Sequence, residues 1–224
     1  MGHDYMPNSK SNKLSVVPRI EPGLSKSEQT RRTRALIIET GIRCLAAYGF
    51  TQTSMHLISK EAGISRGPMN YHFADKNDLM GAIAEALPLG AGQDVLARLR
   101  AVTGVEARLA AIIDLAIEQH RGMHHFAAIE LLVAARQDPA LAQAIGPHFE
   151  VAENQLDQWF CDYVAELNWA SEALVSYRTV MVAALRGLAL DHVLQADSDA
   201  HKAALSMFRR IFLNHITHGE NQSD

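Results

Sequence analysis

Arg66, Tyr71, His72 and Lys76 lie close together in the chain, and each carries donors that a phosphate or a base edge accepts. Between Arg66 and Tyr71 stand Gly67 and Pro68, whose small profiles permit close approach and an apolar contact with a thymine methyl, and Asn70, whose amide can meet a base or a phosphate. The spacing around them has a positional logic. Met55, Ile58 and Ala62 fall on one face of a short helix capped by Thr53 and Ser54, Gly63 supplies a tight turn, and Ser65 caps a second short helix. Arg66, Gly67 and Pro68 then open the exposed end of that helix, where a major groove can be read, while Tyr71, His72 and Lys76 offer donors to phosphates at its far end. Residues 54–73 therefore read as a helix-turn-helix, with Ile64, Met69 and Phe73 closing the core beneath it.

Other candidates for chemistry are sparse. His120, His124 and His125 flank a helix break at Gly122, and His120 and His124 are spaced to share a metal, to face solvent, or to meet a polar ligand. The chain has no His-Glu-x-x-His, no Glu-x-x-His and no Gly-rich phosphate loop, so the common helical metallohydrolase, di-iron and nucleotide patterns are missing. Cys44 and Cys161 form no C-x-x-C pair and sit among apolar residues. No catalytic residue, metal or cofactor is expected; a small helical metalloenzyme is the competing class.

The elements that must carry these residues follow from periodicity. The middle of the 224-residue chain is rich in Ala and Leu, and 48% of all residues are apolar, which favours a helical protein with a substantial core. A helix begins near Glu28 and presents Ile37, Gly41, Leu45 and Tyr48 on one side until Gly49 ends it; Asp75 caps a fourth helix from Lys76 to Leu87. Longer helices follow near 93–101, 105–120, 123–137, 139–145, 147–168, 171–195 and 199–217, with Asp138-Pro139 and Gly146-Pro147 as start signals. No stretch alternates long enough to be a strand, so the expected fold is all-α: a three-helix DNA-binding head over 28–76 and a larger helical body over 77–224.

Charge divides the same way. Residues 1–76 carry a balance of +5 and residues 77–224 one of −9, within a net −4, as a DNA-binding head on an acidic body would. Residues 1–27, with Pro7, Pro18, Pro22 and Gly23, read as a mobile tail whose Lys10, Lys13, Arg19 and Lys26 are either solvated or within reach of a groove. The start is polar, and the apolar run Val180–Leu190 is broken by Arg186 and short of the roughly 20 residues of a spanning helix, so a cytoplasmic protein is expected.

From about Arg34 to Leu79 the chain resembles the TetR family of bacterial repressors: Gly49-Phe50, Thr53, Ile58, Ala62-Gly63-Ile64-Ser65, Gly67, Met69, Tyr71-His72-Phe73, Lys76 and Leu79 stand at the family's spacing. It departs from many members at Asn70, where Tyr is usual, at Ser59, where Ala is usual, and in lacking an acidic residue near Leu57. The resemblance implies a homodimer on a palindromic operator, with Thr53, Tyr71, His72 and Lys76 on phosphates and Arg66, Gly67, Pro68 and Asn70 toward bases. It also implies release from DNA when a small molecule enters the body and moves the fourth helix. Leu174, Met181, Leu185 and Leu188 form an apolar stripe that suits a core or a dimer face, and the resemblance assigns it to the dimer. Phe126, Ile129, Glu130 and Val133, with Trp159, Phe160, Tyr163, Tyr177 and Met181, lie on helices that the family arranges around its effector, though each also suits an ordinary core.

Overall fold

The computed structural model describes residues 25–87, 99–194 and 198–218. The tail expected over 1–27 lies outside them except for 25–27, as does the helix near 93–101 except for 99–101. Among the described residues every regular element is a helix. In chain order these are α1 (Lys26–Gln52), α2 (Met55–Glu61), α3 (Arg66–His72), α4 (Lys76–Ala86), α5 (Val105–Gln119), α6 (Met123–Ala135), α7 (Pro139–Tyr163), a 3₁₀ turn (Ala165–Leu167), α8 (Ser171–Leu194) and α9 (Asp199–His218).

The described residues form two compact units, one of 25–87 and 126–149, the other of 99–125, 150–194 and 198–218. Helices α6 and α7 each begin in one unit and continue into the other.

In the first unit, Ser25 caps α1 by accepting from the Glu28 N–H at 3.3 Å. One face of α1 buries Ile37, Ile42, Cys44 and Leu45 against Ile58, Met69, Phe73, Leu79, Met80 and Ile83, all at most 2% exposed. Each such Ile or Leu contributes about 2 kcal/mol by leaving water, which holds three short helices that would not persist alone. α1 does not stop at Gly49 as its sequence suggests. The backbone breaks there, at φ 74° and ψ 169°, and a last helical turn follows to Gln52. Gly63, at φ 66°, makes the turn between α2 and α3.

The second unit packs Leu109, Ile112 and Ile113 of α5 against Phe160 and Val164, Leu174, Tyr177, Met181 and Leu185 of α8, and Phe208 and Phe212 of α9. Its buried hydroxyls are satisfied by backbone: Tyr177 donates to the Phe212 carbonyl at 2.7 Å and Tyr163 to the Leu99 carbonyl at 2.6 Å. Arg178, only 7% exposed, is held by Asp157 and Glu153, each at 2.5 Å, so this cation in an apolar helix face is fully paired. By length and composition alone α8 is long and apolar enough to cross a membrane, unlike the short run its sequence suggested, and a third of its most apolar window is buried.

The joint expected at Gly146-Pro147 does not form. α7 runs through it as one helix of 25 residues. Pro147 forfeits one backbone hydrogen bond, a cost of about 3 kcal/mol, while burial of Leu141 and Ile145 on the preceding turns offsets it. The start signal at Asp138-Pro139 does operate, with the Asp138 carboxylate accepting from the Leu141 N–H at 3.0 Å.

Candidate nucleic-acid interface

Two side chains anchor α3. Met69 and Phe73 are 2% and 1% exposed and pin α3 to the core of the first unit. With that face fixed, the helical period turns Arg66, Gly67, Pro68, Asn70 and Tyr71 outward, and all five are exposed, Tyr71 by 76%. Ser65 occupies the position before α3, but its hydroxyl makes no capping bond, in contrast to the expected cap; it is exposed beside Arg66. Ser54 does cap α2, accepting from the Leu57 N–H at 3.1 Å.

Thr53 requires a correction. It has no exposed surface, and its hydroxyl donates to the Gly49 carbonyl at 2.8 Å, closing the turn after the break in α1. The exposed hydroxyl at the start of α2 belongs to Ser54. A capping residue must project outward to meet the helix N–H groups, and the residue before it is turned inward; this signal was legible in the Thr-Ser pair.

His72 is partly buried with its ring edge-on to Tyr71, centroids 5.1 Å apart. Burial, then the charge of Arg34, lowers its pKa, so the ring favours its neutral form. Lys76 is also partly buried. Its ammonium donates to the Phe50 carbonyl at 2.9 Å and lies 3.7 Å from the centre of the Phe50 ring. Burial lowers its pKa and nearby Asp138 opposes the shift. One of its three N–H donors is used, leaving two for a phosphate. Asp75 and Asp78 order the approach to Lys76: the Asp75 carboxylate accepts from Asp78 N–H and the Asp78 carboxylate from Ala74 N–H, both at 2.9 Å.

A groove of about 390 Å³ runs between α1 and α3, lined by Lys26, Gln29, Thr30, Thr33, Gly67, Pro68, Tyr71 and His72. The sequence reading assigned nothing in α1 to this surface apart from Lys26. Thr30 and Thr33, three apart and polar, were the available signal.

The remaining candidates separate. Leu174, Met181 and Leu185 are each 3% exposed and belong to the core of the second unit, with Leu188 packed against it. They are not the outer face of α8. Its exposed stripe is Val180, Ala183, Gly187, Leu190 and Leu194, and α9 exposes Ala203, Met207 and Ile211 at the same kind of spacing. The nine effector candidates divide between units. Trp159, Phe160, Tyr163, Tyr177 and Met181 lie in or against the second unit's core, with Trp159 stacked on Tyr163 and Phe160 on Tyr177. Phe126, Ile129, Glu130 and Val133 belong to the first unit; Ile129 is buried and Val133 is 54% exposed. Glu130 is already engaged, accepting from the Phe50 N–H at 3.0 Å. Among the described residues no three His, Cys, Asp or Glu side chains are grouped to hold a metal ion.

Residues 37–83 match the family described as bacterial regulatory proteins, tetR family. The HTH-type transcriptional regulator AcrR of Shigella flexneri is 36% identical over 58 residues, 26% of this chain and 27% of AcrR, so that match spans about a quarter of the relative's length. Among solved structures, the fatty acid degradation regulator FadR of Bacillus halodurans shares the fold at a TM-score of 0.62 and 18% identity, over 81% of this chain and 94% of that one. The multidrug binding protein EbrR, solved with ethidium, shares it at 0.55 and 24% identity, over 80% and 98%. The segment 37–83, which holds α2 and α3, is thus similar to the helix-turn-helix domain of the tetR family of bacterial regulatory proteins.

Proposed function

We propose that the protein is a sequence-specific DNA-binding transcriptional repressor, acting in the cytoplasm as a homodimer on a palindromic operator and released by a small molecule bound in its helical body. The observation that carries this reading is the outward face of α3, where Arg66, Gly67, Pro68, Asn70 and Tyr71 are exposed on a helix whose other face is locked by Met69 and Phe73. A rigid helix with donors at its N-terminal end suits a major groove. Ser54, Tyr71, His72 and the free N–H groups of Lys76 take the phosphates in this reading. Arg66 and Asn70 take bases, with Gly67 and Pro68 allowing the approach.

The dimer reading rests on the apolar stripe of α8 and α9. Ala183 and Gly187 are small, and a Cβ added at Gly187 would meet nothing within 4 Å, so a second helix can come close there. Release by a small molecule is supported by EbrR, whose structure holds ethidium. An effector of largely apolar character suits a body whose core carries Trp159, Phe160 and Tyr163.

Selection of binding sites from random DNA tests the reading directly. The wild type should enrich a two-fold symmetric site, with affinity falling steeply as salt rises. Arg66→Ala should relax preference at one base pair by about 1–3 kcal/mol, while Tyr71→Ala weakens all sites alike. Failure of the wild type to enrich any sequence refutes it.

A further inference from the structure

Phe50, near the end of α1, is a meeting point of α1, α4 and α6 in the first unit. Its N–H donates to the Glu130 carboxylate of α6 at 3.0 Å, and its carbonyl accepts from the Lys76 ammonium at the start of α4 at 2.9 Å. Lys76 also lies over the Phe50 ring, 3.7 Å from its centre. The adjoining Gly49 is shaped for this contact: its φ of 74° suits glycine, and a Cβ there would come within 3.0 Å of the Glu130 carboxylate. A carboxylate on a partly buried amide makes one of the stronger hydrogen bonds available, and it fixes the peptide's orientation.

We infer that Glu130 is a positioning residue for DNA binding: by holding the Gly49–Phe50 peptide it fixes the backbone at Phe50, whose carbonyl, on the next peptide, fixes the Lys76 ammonium for a phosphate, and it carries to Lys76 any movement of α6. The inference rests on the DNA-binding reading of Lys76 given above. With Glu130 in place, Phe50 presents its carbonyl to Lys76 and the long lysine side chain is ordered before DNA arrives. Without it, the Phe50 N–H loses its acceptor, the backbone on both sides of the Phe50 Cα is less restrained, and ordering Lys76 becomes a cost of binding. α6 begins in the second unit and enters the first at Phe126, four residues before Glu130, so a displacement of α6 has a direct covalent and hydrogen-bonded route to Lys76. Glu130 thus acts on the DNA through Lys76, as a relay and not as a ligand for an effector.

The test is a double-mutant cycle on the full chain with Glu130→Ala, Lys76→Ala and the pair. Operator affinity is read by fluorescence anisotropy at several salt concentrations. We expect each single change to weaken binding about tenfold and the pair to weaken it scarcely further. Both single changes should also lower the slope of log affinity against log salt by about one phosphate. Glu130→Gln, which keeps the volume and a neutral acceptor, should fall between wild type and Glu130→Ala, and covers the case in which the alanine variant fails to fold. Additive losses, a Glu130→Ala protein with wild-type or higher affinity, or a loss of affinity with an unchanged salt slope overturns the inference. A wild type that binds no DNA overturns the functional reading itself, which is a distinct result.

Discussion

His125 → Gln should make the protein's stability less sensitive to acid. His125 lies at the start of α6, where its Nε2 is buried without a hydrogen-bond partner among the described residues. Burial, the guanidinium of Arg186 and the neighbouring His120 push its pKa down to about 4. In an unfolded chain the value is about 6.5. Because the folded value is the lower, the unfolded chain binds the extra proton anywhere between the two. The stabilisation from keeping the ring neutral is therefore fully present above about pH 6.5 and is lost as pH falls toward 4. From pH 7.5 to 4.5 the loss from this group alone, discounted for solvent screening, is on the order of 2 kcal/mol, a sizeable share of the 5–15 kcal/mol typical of a whole protein. His120, held by its Nδ1–H on the Ile117 carbonyl and lowered chiefly by burial, adds a loss of the same sign in both proteins. Urea unfolding followed by circular dichroism at both pH values measures the difference. The wild type should lose on the order of 2 kcal/mol more than the variant over that range. Comparing losses and not absolute stabilities removes any packing cost of the glutamine. Equal losses in the two proteins refute the reasoning.

Three further outcomes follow from the packing. Gly49→Ala should cost about 1–3 kcal/mol, because φ 74° with ψ 169° is a region open essentially to glycine; a urea midpoint within error of wild type contradicts this. Val180→Glu combined with Leu190→Glu should yield a folded monomer by light scattering and circular dichroism, since both residues are at least half exposed on α8; a variant that remains dimeric places the interface elsewhere. Phe160→Ala, emptying a site 1% exposed in the second unit's core, should lower stability by about 3–5 kcal/mol, and a loss under 1 kcal/mol shows that the site collapses around the cavity.

The helix-turn-helix was legible because short-range chemistry decides it. Gly63, the cap at Ser54, the three-and-four spacing of Met55, Ile58 and Ala62 and the spacing of four between Met69 and Phe73 all act within one or two turns. The orientation of the long helices was not, because α8 is apolar on more than one side. Leu174, Met181 and Leu185 look like Val180 and Leu190 in sequence, and only packing with α5 and α9 decides which set turns inward. Thr53 was misplaced by one residue, enough on a helix cap to exchange inside for outside. The bond between Glu130 and Phe50 was not legible because the two are eighty residues apart in the chain. Pro147 was taken for a helix start because the local rule outweighed a tertiary context the sequence does not display.

The two cysteines give the protein a pair of internal clocks. Cys44 lies in the first unit with no exposed surface, its thiol pushed up to about 11 by burial, while Cys161 lies in the second and is only partly buried. A thiol reagent at neutral pH can modify Cys44 only in the fraction of molecules in which the packing around α1 has opened. Its labelling rate, divided by that of an unfolded peptide, then gives the opening free energy of the DNA-binding unit alone. Cys161, labelled in the same tube, reports on the other unit, and each can be silenced by a serine or alanine exchange. Operator DNA that holds α1 closed should slow the first clock and leave the second running, so occupancy can be timed without attaching any probe.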